Sequence, residues 1–345
     1  MTAVFAIPGD KDRRTGGFIY DATVLRVLND IGCPTAHLEL PDAFPEPTDA
    51  DIDATFALLR AVPADQAIII DGLVFGALDP ARLARVSAPM VAMIHHPLGL
   101  ETGLAPDLAA YLLRNEADAL QHAAAIVVPS PHTAEILQSQ FGADSAKTHI
   151  ALPGFTRPQI TAAPEDPPLI LSVGLLADRK GHDVLLRALA SLQDLPWRCE
   201  IVGKRHMPAT ADALLALRDG LGLNARVMFS GEVDERTLQE RYAAASLFAL
   251  ATRYEGYGMV LSEAMLHGLP VVSTRTGAVP DTVGDAGLLV DVDDHAAFAA
   301  ALRIVLSETE TRQRLQSASQ AKAASLPTWE DTARVMAKAV ASVQG

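Results

Sequence analysis

The sequence predicts an α/β protein built from two Rossmann-like parallel-sheet halves. Short apolar runs alternate with helical patterns along the whole chain, the signature of parallel sheets covered on both faces. The 345 residues are 49% hydrophobic, enough for more than one core. A proline-rich segment without periodicity, LPGFTRPQITAAPEDPPL (152–169), interrupts the alternation and reads as an interdomain linker.

In the first half the expected strands are AVFAIP, AIIID (67–71), MVAMI (90–94) and AIVVPS (125–130), with helices at GFIYDATVLRVLNDI and PDLAAYLLRNEADALQHA. In the second half they are LILSVG (169–174), CEIVG, RVMFSG, LFALAT, PVVST and GLLVD. Helical patterns between and after them are DVLLRALASL, ADALLALRDGLGL, ERTLQERYAAA, MVLSEAMLHG, HAAFAAALRIVL and TWEDTARVMAKAVASV. Ligands of such sheets bind outside the carboxyl ends of the strands, so two such domains predict a site in the cleft between them.

Composition excludes several function classes. The net charge is −14 and no basic block occurs, so nucleic acid and anionic lipid are not expected partners. No apolar run reaches the length of a membrane span, and MTAVFAIPGD lacks the basic start of a signal peptide. The two cysteines, Cys33 and Cys199, lie far apart and have neither disulfide-scaffold nor metal-ligand spacing. A soluble cytoplasmic protein is expected. GxGxxG is absent between the first strand and helix, which argues against a nicotinamide dehydrogenase.

Two stretches carry chemistry. In LILSVGLLADRKGHDVLLRALASL a strand ends at Gly174, and Arg179 and Lys180 stand at the start of the next helix. Cations there oppose the helix dipole unless an anion sits among them, which predicts a phosphate site. In RYEGYGMVLSEAMLHGLPVVSTRTGAVPD, Glu255 and Glu263 flank a Gly-Tyr-Gly turn. Gly256 and Gly258 let the backbone approach a ligand, and the helix beginning near Met259 offers unpaired N–H groups to phosphate or sugar oxygens. Glu263 has apolar neighbours in Met259, Val260, Ala264 and Met265, so its carboxylate needs a donor such as a sugar or ribose hydroxyl. Taken singly, each glutamate reads as a helix-start acid or a solvated residue. The pair with its glycines reads as a binding loop.

EGYGMVLSEAMLHGLPVVSTRTGAVPD resembles the donor-site signature of retaining glycosyltransferases of glycosyltransferase family 4, which have the GT-B fold of two Rossmann-like domains facing each other across a cleft. SVGLLADRKGHDVLLRAL, VMFSGEVDERTLQERYAAASLFALAT and TWEDTARVMAKAV also resemble segments of that family, in the expected order. The likeness covers nearly all of 169–345. More loosely, TGGFIYDATVLRVLNDIG is similar to the family's glycine loop and MVAMIHHPLGLE to its strand ending in an active-site histidine.

The resemblance implies a first, acceptor domain over 1–160, with the helix at 328–345 packing back on it, and a nucleotide-sugar donor domain over 161–327. It implies that Glu255 contacts the donor sugar's hydroxyls and Glu263 the ribose. Lys180 and Arg179 would neutralise the diphosphate, assisted by the backbone at Gly258, Met259 and Val260. Gly174, Gly256 and Tyr257 belong to the same donor segments, and Gly16 and Gly17 would let the first loop close on the phosphates. Many members have an arginine directly after the strand glycine, where this chain has Leu175. Arg179 is the candidate to supply that charge.

His95 and His96 follow the strand MVAMI. Adjacent strand residues point to opposite faces, so one of them, His95 by its position, is assigned the active-site role. His96 and Glu101 are candidates on the acceptor side. No third metal ligand with sensible spacing accompanies the histidine pair. DVDD (291–294) reads as a helix-capping turn and DADID (49–53) as a helix start. No metal and no cofactor are therefore expected. Leu98, Leu100 and Leu104 make the histidine loop apolar. Core packing is its first reading and a hydrophobic or lipid-linked acceptor its second, with peripheral membrane contact.

The expected function is transfer of a hexosyl group from a nucleotide diphosphate sugar to a saccharide or glycolipid hydroxyl, with retained anomeric configuration, in glycan or glycolipid biosynthesis. A nucleotide-sugar epimerase of the same fold and a non-catalytic nucleotide-sugar-binding subunit are the alternatives. Base, sugar, acceptor and oligomeric state are not legible.

Overall fold

A computed structural model describes residues 2–101, 103–205 and 207–344. The chain divides into two compact units. One runs up to Thr156 and resumes at Pro327; the other is Arg157–Leu326.

The first unit begins β1 (Ala3–Pro8), α1 (Gly16–Asp30), β2 (Thr35–Leu40), α2 (Asp49–Arg60), β3 (Ala67–Asp71), α3 (Gly72–Phe75) and α4 (Pro80–Leu83). It continues β4 (Met90–Met93), α5 (Pro106–Leu120), β5 (Ala125–Val128), α6 (Pro131–Phe141) and β6 (Thr148–Ile150). The second contains β7 (Leu169–Val173), α7 (His182–Ala190), β8 (Arg198–Val202), α8 (Pro208–Gly220), β9 (Val227–Gly231) and α9 (Glu235–Ala244). There follow β10 (Leu247–Leu250), α10 (Met259–Leu266), β11 (Val271–Thr274), α11 (Val279–Val283), β12 (Gly287–Val290), α12 (His295–Ser307) and α13 (Thr309–Ala324). The last helix, α14 (Trp329–Val343), belongs to the first unit.

Each unit holds one six-stranded sheet, ordered β2-β1-β3-β4-β5-β6 in the first and β12-β11-β10-β7-β8-β9 in the second. Every strand pairing is parallel. The central strands are apolar because both faces are covered: β3 and β7 are buried at every position. In the first unit Val24 and Leu28 of α1, with Met336, Ala339 and Val340 of α14, cover one face of the sheet against Phe5 and Ile69. Leu59, Phe75, Leu120 and Leu137 cover the other with Ile68 and Ile70. Full burial of each large aliphatic contributes about 1.5–3 kcal/mol, which is what holds α14 to this unit. The helix is sharply started by a Thr328–Asp331 capping box.

Beside the short helices α3, α4 and α11 and the helix α6, two strands and one long helix were not expected. β2 and β6 are edge strands with exposed or half-buried polar positions, so neither has a continuous apolar run. The helix α13, TETRQRLQSASQAKAA, buries only Leu315, Ser319 and Ala323, too narrow a stripe to set a visible period. Asp294 caps α12 and Asp51 completes the cap of α2, as the acid clusters there predicted.

Strand order positions the functional loops. In the second sheet the chain runs outward from β7 to β9, then restarts on β7's other side with β10. The loops after β7 and β10 therefore flank the topological switch point, where open α/β sheets bind ligands. In the first sheet the switch lies between β1 and β3.

Candidate functional site

The loop after β7 ends in a tight turn, Asp178–Lys180, that leads into α7. The loop after β10 carries Thr252 to Gly258 and leads into α10. At the switch point they meet. Lys180 Nζ lies 2.6 Å from Glu255 Oε1, with only 12% and 7% of the two side chains exposed. Thr252 Oγ1 donates to the same oxygen at 3.0 Å, and Arg179 stands 3.7 Å from Oε2. Burial alone would raise the Glu255 pKa, but Lys180 and then Arg179 hold it below the usual carboxylate value. Two cations face one carboxylate, so the trio keeps one net positive charge. That surplus at the switch point suits an anion.

Gly174 makes room for this arrangement: a Cβ there would stand 3.2 Å from Lys180 Cδ. Gly258, with φ +84°, takes the left-handed conformation that turns the chain into α10. Its Cβ would strike Leu261 at 2.8 Å. Met259 and Val260 open the helix, and the first N–H groups of a helix have no acceptor within it. Gly256 lies half-buried in the loop. Tyr257 is buried, with its hydroxyl 3.1 Å from Ser262 Oγ and its carbonyl accepting from Thr282. Its side chain packs the loop, a role the sequence reading did not give it.

Glu263 accepts a hydrogen bond from the Tyr242 hydroxyl at 2.9 Å. Burial lifts its pKa to about 7, against the lowering effect of that bond. The apolar neighbours noted in the sequence do create a demanding site for a carboxylate. The partner Tyr242, from α9, was not foreseen.

Sequence reasoning also missed Arg253. Its guanidinium grips Asp183 at 3.1 and 3.0 Å, bonds Asp293 at 2.8 Å and donates to the Asp178 carbonyl. Its backbone N–H donates to the Arg179 carbonyl at 2.7 Å, and its carbonyl accepts from Thr276. Arg253 thereby ties the glutamate loop to the lysine turn. The end of β11 and the loop after it add support: Thr274 donates to the Thr252 carbonyl and the Ala278 N–H to the Glu255 carbonyl at 2.9 Å. The hydroxyl residues Thr274 and Thr276, with the Ala278 N–H, thus brace the Glu255 loop.

The candidates of the first half lie in the first unit. Gly16 and Gly17 open α1. A Cβ at Gly16 would meet nothing within 4 Å, and one at Gly17 would lie 3.4 Å from His95 Cδ2. His95 Nε2 is 2.8 Å from Asp21 Oδ1, and His96 Nε2 is 4.0 Å from Glu101 Oε2. The histidine pair was read as having no metal-ligand company. Folding corrects that reading for His95: Asp21 and Asp71 join it with ligand atoms all within 4.8 Å of one another. The acids come from α1 and the end of β3, so no local spacing could announce them. Asp21 Oδ1 and His95 Nε2 are already at hydrogen-bonding distance, 2.8 Å apart.

Residues 155–322 match the protein family described as Glycosyl transferases group 1. This stretch is a glycosyl transferases group 1 domain. The group 1 domain holds every donor-side candidate except Gly16 and Gly17. Curated relatives of the chain include D-inositol 3-phosphate glycosyltransferases of Xylanimonas cellulosilytica and of a Nocardioides species. The first is 32% identical over 231 residues, covering 61% of this chain and 55% of the relative. The second is 31% identical over 264 residues, covering 68% and 57%. The match thus spans little more than half the length of these relatives. Among solved structures, sucrose-phosphate synthase from Thermosynechococcus elongatus superposes with a TM-score of 0.83 at 21% identity, covering 98% of this chain and 97% of that one. Anabaena HepE in complex with UDP and glucose gives 0.75 at 19% identity, covering 99% and 100%. The expected GT-B fold is borne out. Among the described residues no helix is long and apolar enough to cross a membrane.

Proposed function

We propose that the chain is a retaining glycosyltransferase of family 4 that moves a hexosyl group from a nucleotide diphosphate sugar to a hydroxyl acceptor. The observation that carries this reading is the buried Lys180–Glu255 pair beside Arg179, set against the start of α10 at the switch point of the second sheet. The curated relatives, named as glycosyltransferases, and the UDP and glucose complex of HepE support it and make UDP-sugars the first donors to test.

The chemical problem is charge. As the glycosidic bond breaks, negative charge grows on the leaving diphosphate and positive charge on the sugar ring. Lys180, Arg179 and the N–H groups opening α10 stabilise the first by preorganised electrostatics, worth about 10²–10³ in rate per donor. These groups meet the diphosphate charge without a metal. Glu255, kept ionised by its two cations, faces the sugar hydroxyls. Glu263 accepts from the ribose. The acceptor attacks from the face the diphosphate leaves, and the leaving phosphate takes its proton.

The test is incubation of the chain with UDP-, GDP- and ADP-sugars and hydroxyl acceptors, following nucleotide release and the anomeric configuration of the product by NMR. A glycoside of retained configuration is expected. An epimerised nucleotide sugar without transfer, or binding without turnover, would refute the reading.

A further inference from the structure

The family resemblance gives His95 an active-site role, but Asp21 and Asp71 beside it have none in the reading above. The cluster lies at the switch point of the first sheet, on α1, the end of β3 and the exit of β4. Asp21 is fully buried and Asp71 nearly so, whereas 23% of the His95 side chain is exposed. The ring stands edge-on to Tyr20, with centroids 5.1 Å apart. Its Cδ2–Nε2 edge lies against the bare backbone of Gly17.

We propose that Asp21, backed by Asp71, is a positioning residue that holds His95 with Nε2–H donated to the Asp21 carboxylate, leaving Nδ1 as a hydrogen-bond acceptor for a substrate hydroxyl. The geometry gives the chain of bonds. His95 Nε2 is 2.8 Å from Asp21 Oδ1. Asp21 Oδ2 has no hydrogen-bond donor among the described residues unless Asp71 supplies one. Asp71 is also held from the other side, since its Oδ1 accepts from the Leu73 N–H at 2.7 Å. Two carboxyl groups so close and so buried do not both ionise. Burial raises both acids, Asp21 to about 7 against the lowering effect of its bond to Asp71, and Asp71 well up through burial and then the charge of Asp21. The bond between them leaves Asp71 the neutral acid that donates and Asp21 the one that ionises. Burial lowers the His95 pKa, so the imidazole is neutral and its tautomer matters. A neutral ring that donates at Nε2 must accept at Nδ1. The first unit then offers a fixed acceptor to a hydroxyl-bearing substrate. Its meaning for turnover rests on the glycosyl-transfer reading; the tautomer does not.

Nitrogen-15 NMR of the His95 ring in the ligand-free full chain reads the tautomer directly. Wild type is expected to show Nε2–H and a bare Nδ1. Asp71→Asn keeps a neutral donor toward Asp21 and should keep that tautomer. Asp21→Ala should give a mixed or reversed one. In turnover, Asp21→Ala should lower kcat about 10–100-fold, the worth of one charge-assisted bond, with the donor KM little changed. An Nδ1–H tautomer in wild type, an unchanged tautomer or kcat in Asp21→Ala, or stoichiometric binding of zinc or manganese at His95 would overturn the proposal. If the tautomers behave as stated while no nucleotide sugar is consumed, the glycosyl-transfer reading fails and the positioning stands.

Discussion

The Lys180 ammonium and the Glu255 carboxylate lie 2.6 Å apart although 75 residues separate them. Both are largely buried, so each needs the other. Removing one partner of such a pair leaves an uncompensated charge. This gives the site an asymmetry. Glu255→Ala frees Lys180 and Arg179 for an incoming anion, so nucleoside diphosphate should bind as tightly as before or more tightly. Sugar transfer should nonetheless fall about 10²–10³-fold, because an interaction made in the transition state is gone. Titration calorimetry beside steady-state kinetics separates the two. Weaker nucleotide binding with unchanged turnover would reverse the assignment.

Arg253 touches no proposed substrate atom, yet it fastens the glutamate loop to the lysine turn through Asp183, Asp293 and the Asp178 carbonyl. A misplacement of about 1 Å can cost on the order of 10²-fold in rate. Arg253→Ala should therefore lower kcat about 10–100-fold. Arg253→Lys should recover little, since a lysine cannot reproduce a forked grip on Asp183. Asp183→Asn should cost less when added to Arg253→Ala than when made alone. Full additivity in that double-mutant cycle would show the two residues acting separately.

Much of this was legible in the sequence. The six strands of the second sheet could be read in order, although β8 carries Arg198 and Glu200, and Glu255 and the Arg-Lys pair stood at strand exits where ligands bind. What escaped was tertiary. Tyr242 meets Glu263 across 21 residues, and Asp21 and Asp71 converge on His95 from other elements. A side chain's partner across a sheet leaves no trace in local periodicity. Arg253 lay in full view beside Tyr254, but a loop arginine is ordinarily solvated, and only the fold shows that Asp183 and Asp293 claim it. β2 and α13 were missed for the opposite reason: they bury too little to leave a pattern.

Glu263 predicts a pH dependence of donor binding. Burial sets its pKa at about 7 in the free protein, and ribose hydroxyls donate to the ionised form. Affinity for the nucleotide should be constant well above pH 7 and should weaken as pH falls through it, by at most about tenfold per unit. Glu263→Gln should flatten that limb. Binding that strengthens on acidification would contradict the ribose assignment.

Glu116 predicts a pH dependence of stability. It is fully buried in α5, and its Oε2 accepts from the Leu98 N–H at 2.9 Å. Burial raises its pKa from 4.5 to about 8. The folded value lies above the unfolded one, so the folded state prefers the neutral acid. That contribution is fully present below about pH 4.5 and is lost as pH rises to about 8, at up to about 1.4 kcal/mol per pH unit and a few kcal/mol in all. Glu116→Gln should remove the slope and make the protein more stable than wild type near pH 8. Denaturant unfolding across this range measures it, and identical slopes in the two proteins would refute it.

The central claim is that a diphosphate lodges against Lys180. Calorimetric titration of UDP, GDP and ADP into wild type and Lys180→Ala, in buffer without divalent metal, tests it most directly. The account predicts that one of these nucleotides binds the wild type and that Lys180→Ala, with unchanged circular dichroism, binds it about 10–100-fold more weakly. Equal affinity in the two proteins, or no binding of any nucleotide to the wild type, would contradict it.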